Sequence, residues 1–560
     1  VIQRLTYGVL LVFVTLPAVA AIHDILIRGG TVFDGSLNPP VVADVAIDGD
    51  RITAIGDLAD RQASRIIDAS GLAVAPGFIN MLSWASESLL LDGRSQSNIR
   101  QGVTLEIFGE GSSMGPLNAR MKDELIRRVD GQYDVAWTSL GEYLEHLERE
   151  GVAPNVASFV GATTVRIHEL GYANRAPTRA ELNNMKWLVR QAMLDGALGL
   201  GSSLIYAPAF YAQTEELVAL AQTVADYRGT YISHMRSEGN RLLESIDELI
   251  QIARQTGVNA EIYHFKVSGA ENWHKFDTAI ETIEAARAAG LAVSANMYTY
   301  TAGSTGLDAA MPPWVQEGGY SAWRGRLSDP DTRAEVIRTM QTPGDEWENL
   351  LLLAGADKTL LVGFKNPQLR KFTGHTLAEV AAMRGQSPAA TAIDLVIEDG
   401  SRVQVVYFLM SEENVARAVA LPWMSFGSDA GSIAAEGSFL ETSTHPRTYG
   451  NFARLLGKYV RDEQRLTLTE AIHKLTSSPA RNLRIPYRGE IKPNYFADLA
   501  IFDPATITDH ATYEQPHQYA TGMHHVLVNG ELVLLNGEHT HLTPGRVVRG
   551  PGWRGWRAIE

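Results

Sequence analysis

The chain has 560 residues, with 49 Lys and Arg against 64 Asp and Glu, a formal net charge of −15 and no cysteine. Phosphate-rich partners need concentrated Lys and Arg, so nucleic acid and anionic membrane are excluded as main partners. The missing thiols rule out disulfides, lipid-modified cysteine and thiolate metal ligands, leaving His, Asp, Glu or a modified Lys to bind a metal. The length allows one barrel with an accessory domain as easily as three small domains, and a soluble enzyme is the leading expectation.

Arg4 precedes the apolar run Val9–Leu16, and Pro17-Ala18-Val19-Ala20-Ala21 supplies the small residues of a cleavage site. Residues 1–21 therefore read as a secretory signal peptide, because the run falls short of the roughly 20 residues of a membrane span. A retained anchor is the weaker alternative, and a periplasmic or secreted protein with no stable membrane anchor is expected. From 22 to 74 the pattern is short and alternating, as in Ile25-Leu26-Ile27-Arg28 before Gly29-Gly30 and Val45-Ala46-Ile47 before Asp48-Gly49-Asp50. Such β-branched runs between turn residues mark antiparallel strands. The same texture returns over 485–546, where Val526-Leu527-Val528 meets the hairpin signal Asn529-Gly530. A small β-sandwich built from both chain ends accounts for both, leaving 547–560 as a tail.

Between them, over 75–484, apolar runs alternate with amphipathic segments, the signature of parallel βα units. Eight strands are expected: Val74–Met81, Val103–Phe108, Val156–Val160, Leu198–Ser202, Thr230–His234, Ala260–His264, Leu291–Met297 and Trp423–Ser428. They fit an α/β fold of the (β/α)8 TIM-like barrel type. The last gap is too long for one crossover, so an insertion at about 304–402 is expected over the barrel mouth. Val403–Phe408 is an extra strand there or displaces one of the eight. Two successive strands end in His234 and His264, and in a parallel barrel strand C-termini share one mouth. One such histidine is commonly a satisfied polar residue, whereas two in matched positions point to a metal.

Pro76-Gly77-Phe78-Ile79, the two strand-end histidines, Gly427-Ser428-Asp429 and Ala497-Asp498-Leu499 with Val528-Asn529-Gly530 together resemble the amidohydrolase superfamily. Within it, Leu204-Ile205-Tyr206-Ala207-Pro208, Tyr298-Thr299-Tyr300-Thr301-Ala302 and His445-Pro446-Arg447-Thr448-Tyr449-Gly450 resemble the D-aminoacylases, or N-acyl-D-amino-acid deacylases. The superfamily's His-x-His after the first strand is replaced by Leu82-Ser83-Trp84, which cannot ligate a metal. A fully binuclear centre is therefore not expected, and one tightly bound zinc per chain is.

The resemblance implies a zinc site made from a second-strand cysteine and the two later histidines. Here Gly109-Glu110-Gly111 puts a glutamate at the cysteine's place, giving Glu110, His234 and His264 as metal ligands. A carboxylate with two imidazoles is an established catalytic zinc set. Strand alternation places Glu106 on the same face as Glu110, so Glu106 is the rival ligand, and either could simply be paired or solvated. The resemblance makes Asp429 the general base, although an aspartate after Gly-Ser is often only a turn residue. Arg447 is the candidate for binding a substrate carboxylate, since a guanidinium offers two parallel donors. Lys266 is expected on the strand face of His264, with Tyr206, Tyr298 and Ser304 as weaker substrate contacts. His524, His525, His539 and His541 lie in the β-rich segment and read as surface residues. The expected function is metal-dependent hydrolysis of a linear amide, most directly deacylation of an N-acyl-D-amino acid, a small-molecule substrate. Hydrolysis of a dipeptide or cyclic amide, and a degenerate barrel acting as a binding protein, remain the alternatives.

Overall fold

The computed structural model describes residues 22–555, so the expected signal peptide lies outside the described residues. Eight parallel strands form the central barrel: Phe78–Asn80, Val103–Phe108, Asn155–Ser158, Gly199–Ser203, Thr230–His234, Asn259–Ile262, Val293–Met297 and Met424–Phe426. The third continues after Phe159 as Val160–Gly161, which pairs with the fourth. The barrel closes where Met81 donates to the Phe426 carbonyl (3.1 Å) and Asp429 donates to that of Leu82 (2.9 Å). Helices cover the outside through apolar stripes; Leu242–Thr256 buries Leu242, Ile246, Leu249 and Ala253, the three-to-four spacing of one helix face. Four helices start with a reciprocal capping box, Ser139/Glu142, Thr178/Glu181, Thr376/Glu379 and Thr467/Glu470, which satisfies their first free N–H groups.

The run expected as one strand from Val74 divides. Ala73–Pro76 joins the β-rich domain, pairing with Leu499–Phe502, and only Phe78–Asn80 enters the barrel. The two chain ends interleave in one nine-stranded sheet, which curls around a core of Ile27, Val45, Ile52, Val74, Leu499, Ile501 and Leu527. Beyond it the expected tail is tied down over its described part, with Val548 donating to Val156 (2.8 Å) and Gly550 to Gly196 (2.8 Å).

Between the seventh and eighth barrel strands, Gly303–Gly306, Thr359–Gly363 and Gln404–Tyr407 form a separate antiparallel sheet. The Val403–Phe408 run thus belongs to the insertion, which reaches past the expected bounds of 304–402. The insertion has its own core of Leu307, Trp323, Val336, Leu361 and Ile393. Among the described residues, no helix is long and apolar enough to cross a membrane.

Candidate active site

Glu110 stands between two glycines that let the chain turn sharply into the barrel mouth. Gly109 has φ +106° and a Cβ on it would lie 2.3 Å from the Phe159 carbonyl oxygen; Gly111 has φ +67° and would meet Ser203 at 2.4 Å. That turn breaks the strand alternation on which Glu106 was the rival ligand. Leu105 and Ile107 pack with Ile79, Ala157, Phe159 and Ile232, whereas Glu106 takes hydrogen bonds from Asn98 (2.8 Å), Ser95 (3.0 Å) and Asn80 (3.0 Å). Its oxygens are thus occupied away from the histidines, and its burial raises its pKa.

Glu110 Oε1 instead lies 3.0 Å from His234 Nδ1 and 2.9 Å from His264 Nε2. All three side chains are buried, with ligand-type atoms within 4.8 Å of one another. His264 (φ +34°) and Asp429 (φ +49°) both occupy the left-handed region, uncommon for non-glycine residues and concentrated at functional sites. Burial pushes the Glu110 carboxyl up, but the two imidazoles prevail and hold it far below the usual carboxylate range. The donor chemistry, two nitrogens and a carboxylate, fits zinc, and buried His234 Nε2 has no hydrogen-bond partner in the protein.

Glu238 is the site residue that the sequence reading missed. Its Oε1 lies 2.9 Å from His264 Nδ1 and accepts from Lys266 Nζ at 2.6 Å. A carboxylate on the far nitrogen of a ligating histidine sets its tautomer and orientation. Lys266 does reach the site, 2.6 Å from His264 Nδ1, but it is paired with Glu238 instead of standing free. Glu348, from the insertion, accepts the backbone N–H groups of Glu238 (2.5 Å) and Gly239 (3.2 Å), tying the insertion to this loop.

Asp429 and Arg447, expected in separate roles, are in contact, with Arg447 Nη1 2.7 Å from Asp429 Oδ2. Burial raises the Asp429 pKa and Arg447 opposes that rise. The Nη1 contact is close but misaligned, so neither Nε nor Nη1 of the buried Arg447 makes a hydrogen bond within the protein. Its guanidinium lies over the Tyr298 ring at 4.4 Å, and Nη2 reaches the Ser304 carbonyl at 3.4 Å. His445, also buried, accepts the Arg447 backbone N–H on Nδ1 (2.9 Å) and so donates from Nε2 to Ala302 O (2.9 Å). The Tyr298 hydroxyl has only the Met410 sulfur at 3.5 Å, whereas that of Tyr206 donates to Thr305 (2.9 Å) and the Tyr206 ring packs on His234. Ser304 Oγ is spent on the Val405 carbonyl (2.8 Å) inside the insertion sheet. All the expected site residues nonetheless line one cavity of about 740 Å³ between the barrel mouth and the insertion. The C-terminal histidines lie outside it, and His525 and His539 are buried, not surface residues, His539 donating to Arg94 O (2.9 Å).

A model of the family described as "Amidohydrolase family" matches residues 65–534. The chain belongs to the amidohydrolase family. A D-aminoacylase of Alcaligenes xylosoxydans xylosoxydans is 34% identical over 527 residues, 94% of this chain and 97% of that protein. Two solved structures cover 94% of this chain and all of theirs at a TM-score of 0.78. One is a D-aminoacylase whose binuclear metal centre shows one-metal activation and second-metal attenuation (32% identity). The other is the N-acyl-D-glutamate deacylase of Bordetella bronchiseptica, complexed with zinc and a phosphonate mimic of the tetrahedral intermediate (28% identity). This amidohydrolase is thus a metal-dependent hydrolase of C–N amide bonds built on a TIM barrel with a β-rich domain.

The His264 proton gives a first expected result. Burial and Lys266 push its pKa down, but Glu238 and Glu110 outweigh them and raise it to about 9. If His264 is a ligand, its imidazole must be free of its added proton, and metal capture below about pH 9 would release that proton. Apparent zinc affinity should rise by roughly tenfold per pH unit between about pH 6 and 8, read by competition with a chelator. An affinity independent of pH would remove His264 from the ligand set.

Proposed function

We propose that this hydrolase deacylates N-acyl-D-amino acids, with one zinc ion held by Glu110, His234 and His264 and Asp429 as general base. The observation that carries the reading is Arg447, a buried guanidinium on the wall of the cavity that holds the triad, whose Nε has no hydrogen-bond partner in the protein. An unsatisfied buried donor is costly, and a substrate α-carboxylate on the Nε edge of the guanidinium would supply the partner it lacks. The activities named for the D-aminoacylase and D-glutamate deacylase relatives agree with such a substrate.

Zinc, when bound, lowers the pKa of a water molecule and polarises a carbonyl. Asp429 takes a proton from the attacking water and delivers it to the departing amine nitrogen, ending the cycle ionised as it began. Arg447 pairs with the α-carboxylate and fixes which amide faces the triad, which converts binding into orientation. The Tyr298 hydroxyl, weakly engaged by Met410, can turn to the substrate, while Lys266 and Glu238 hold His264 in place.

A panel of N-acetyl D- and L-amino acids, dipeptides and cyclic amides tests the substrate class. Turnover is expected on the N-acyl-D-amino acids, and turnover confined to dipeptides or cyclic amides would overturn the reading. His234→Ala or His264→Ala should empty the metal site, since each removes one of three ligands. Elemental analysis of dialysed protein should give one zinc per wild-type chain and close to none in either variant.

A further inference from the structure

The tripeptide Leu82-Ser83-Trp84 carries no metal ligand, yet its third residue reaches the centre of the site. Ser83 donates to the Ile107 carbonyl (2.9 Å) and Trp84 to that of Ala430 (3.0 Å), so the backbone is clamped between the second strand and the segment after the eighth. From there the Trp84 indole N–H points at two carboxylates, Glu110 Oε2 at 3.0 Å and Asp429 Oδ1 at 3.1 Å. The other oxygen of each is already used: Glu110 Oε1 by both imidazoles, Asp429 Oδ2 by Arg447. Two carboxylates aimed at a common point repel unless something positive lies between them. A cation bridging them would sit at that point. Here a neutral donor sits there instead, and an indole N–H donates but cannot ligate.

We propose that Trp84 stands in for a second metal ion, its N–H bridging Glu110 and Asp429 so that the base is positioned and a second cation is shut out. The inference deepens the proposed function, resting on Asp429 as base and on a single ion in the triad. Trp84 is a positioning residue. By holding Oδ1 while Arg447 holds Oδ2, it fixes the orientation of the carboxylate that exchanges protons. By occupying Glu110 Oε2 it keeps that carboxylate from bridging two ions. The site is then mononuclear by construction, and excess zinc has no place to bind between the carboxylates.

Trp84 is 44% exposed, facing the cavity, so substitutions there open no hole in the core. The test dialyses wild type, Trp84→Phe and Trp84→His against a tenfold excess of zinc and counts bound metal. One zinc per chain is expected for wild type and for Trp84→Phe, whose ring still fills the position between the carboxylates and adds no ligand. Two are expected for Trp84→His, where a third ligand joins the free oxygens of Glu110 and Asp429. A second zinc in wild type, or a single zinc in Trp84→His, would overturn the exclusion. On turnover, Trp84→Phe should lower kcat by about ten- to a hundredfold, the size of one hydrogen bond to a charged group, with KM nearly unchanged. An unchanged kcat, or a loss carried by KM alone, would overturn the positioning role. The metal count needs no substrate, so a failed substrate panel beside the expected counts would indict the proposed substrate and not Trp84.

Discussion

Asp429→Asn is expected to keep its fold and its metal while kcat falls by about two to four orders of magnitude, the range for losing general acid–base help. Asparagine is the informative replacement at this position. The backbone sits at φ +49°, a conformation that Asn tolerates far better than Ala, so strain adds little to the measured loss. The amide oxygen can still accept the Trp84 N–H, and none of the three metal-ligand candidates is touched. What disappears is the charge that accepts a proton. Metal content and thermal unfolding should match wild type, and the residual rate should lose its acid limb. Near wild-type turnover would reduce Asp429 to a turn residue beside Gly427-Ser428.

The parts of this site that the sequence announced are those fixed by strand ends. A parallel barrel gathers strand C-termini at one mouth, so His234 and His264 could be placed together from two runs ending in histidine. Glu110 was legible through its flanking glycines, but its separation from Glu106 was not, because it depends on Gly109 turning the chain after the strand has ended. The Trp84 contacts were hidden for another reason. They join residues 26 and 345 positions away through a side chain whose indole cannot ligate a metal, so that nothing in the local sequence points to its role. Glu238 lies four residues after His234 in an irregular segment, where neither strand nor helix periodicity says which way a side chain points. Ser304 shows the converse. It lines the cavity as expected, yet its hydroxyl belongs to a sheet pairing with Val405 that only the folded insertion creates.

Arg447→Ala should cost roughly 2–5 kcal/mol in kcat/KM on an N-acyl amino acid, the scale for losing one partner of a buried charge pair. Arg447→Lys should cost less but remain measurable, because it keeps the charge and loses the planar fork. The contact with Asp429 adds a second signature. Arg447 offsets the upward push of burial on the Asp429 carboxyl, so removing it raises that pKa further. A base with a raised pKa is protonated already at higher pH, and the acid limb of kcat/KM should therefore move up in the variant. Substrate class is tested by crossing the mutation with a substrate whose α-carboxylate is replaced by an amide. Wild type should suffer severely from that change and Arg447→Ala little further, since both remove the same ion pair. The limb shift should persist with the amide substrate, because it comes from the Asp429 contact alone. Losses that simply add would separate Arg447 from the carboxylate and leave it as the counter-charge of the base, and the N-acyl amino acid reading would then lose the residue that carries it.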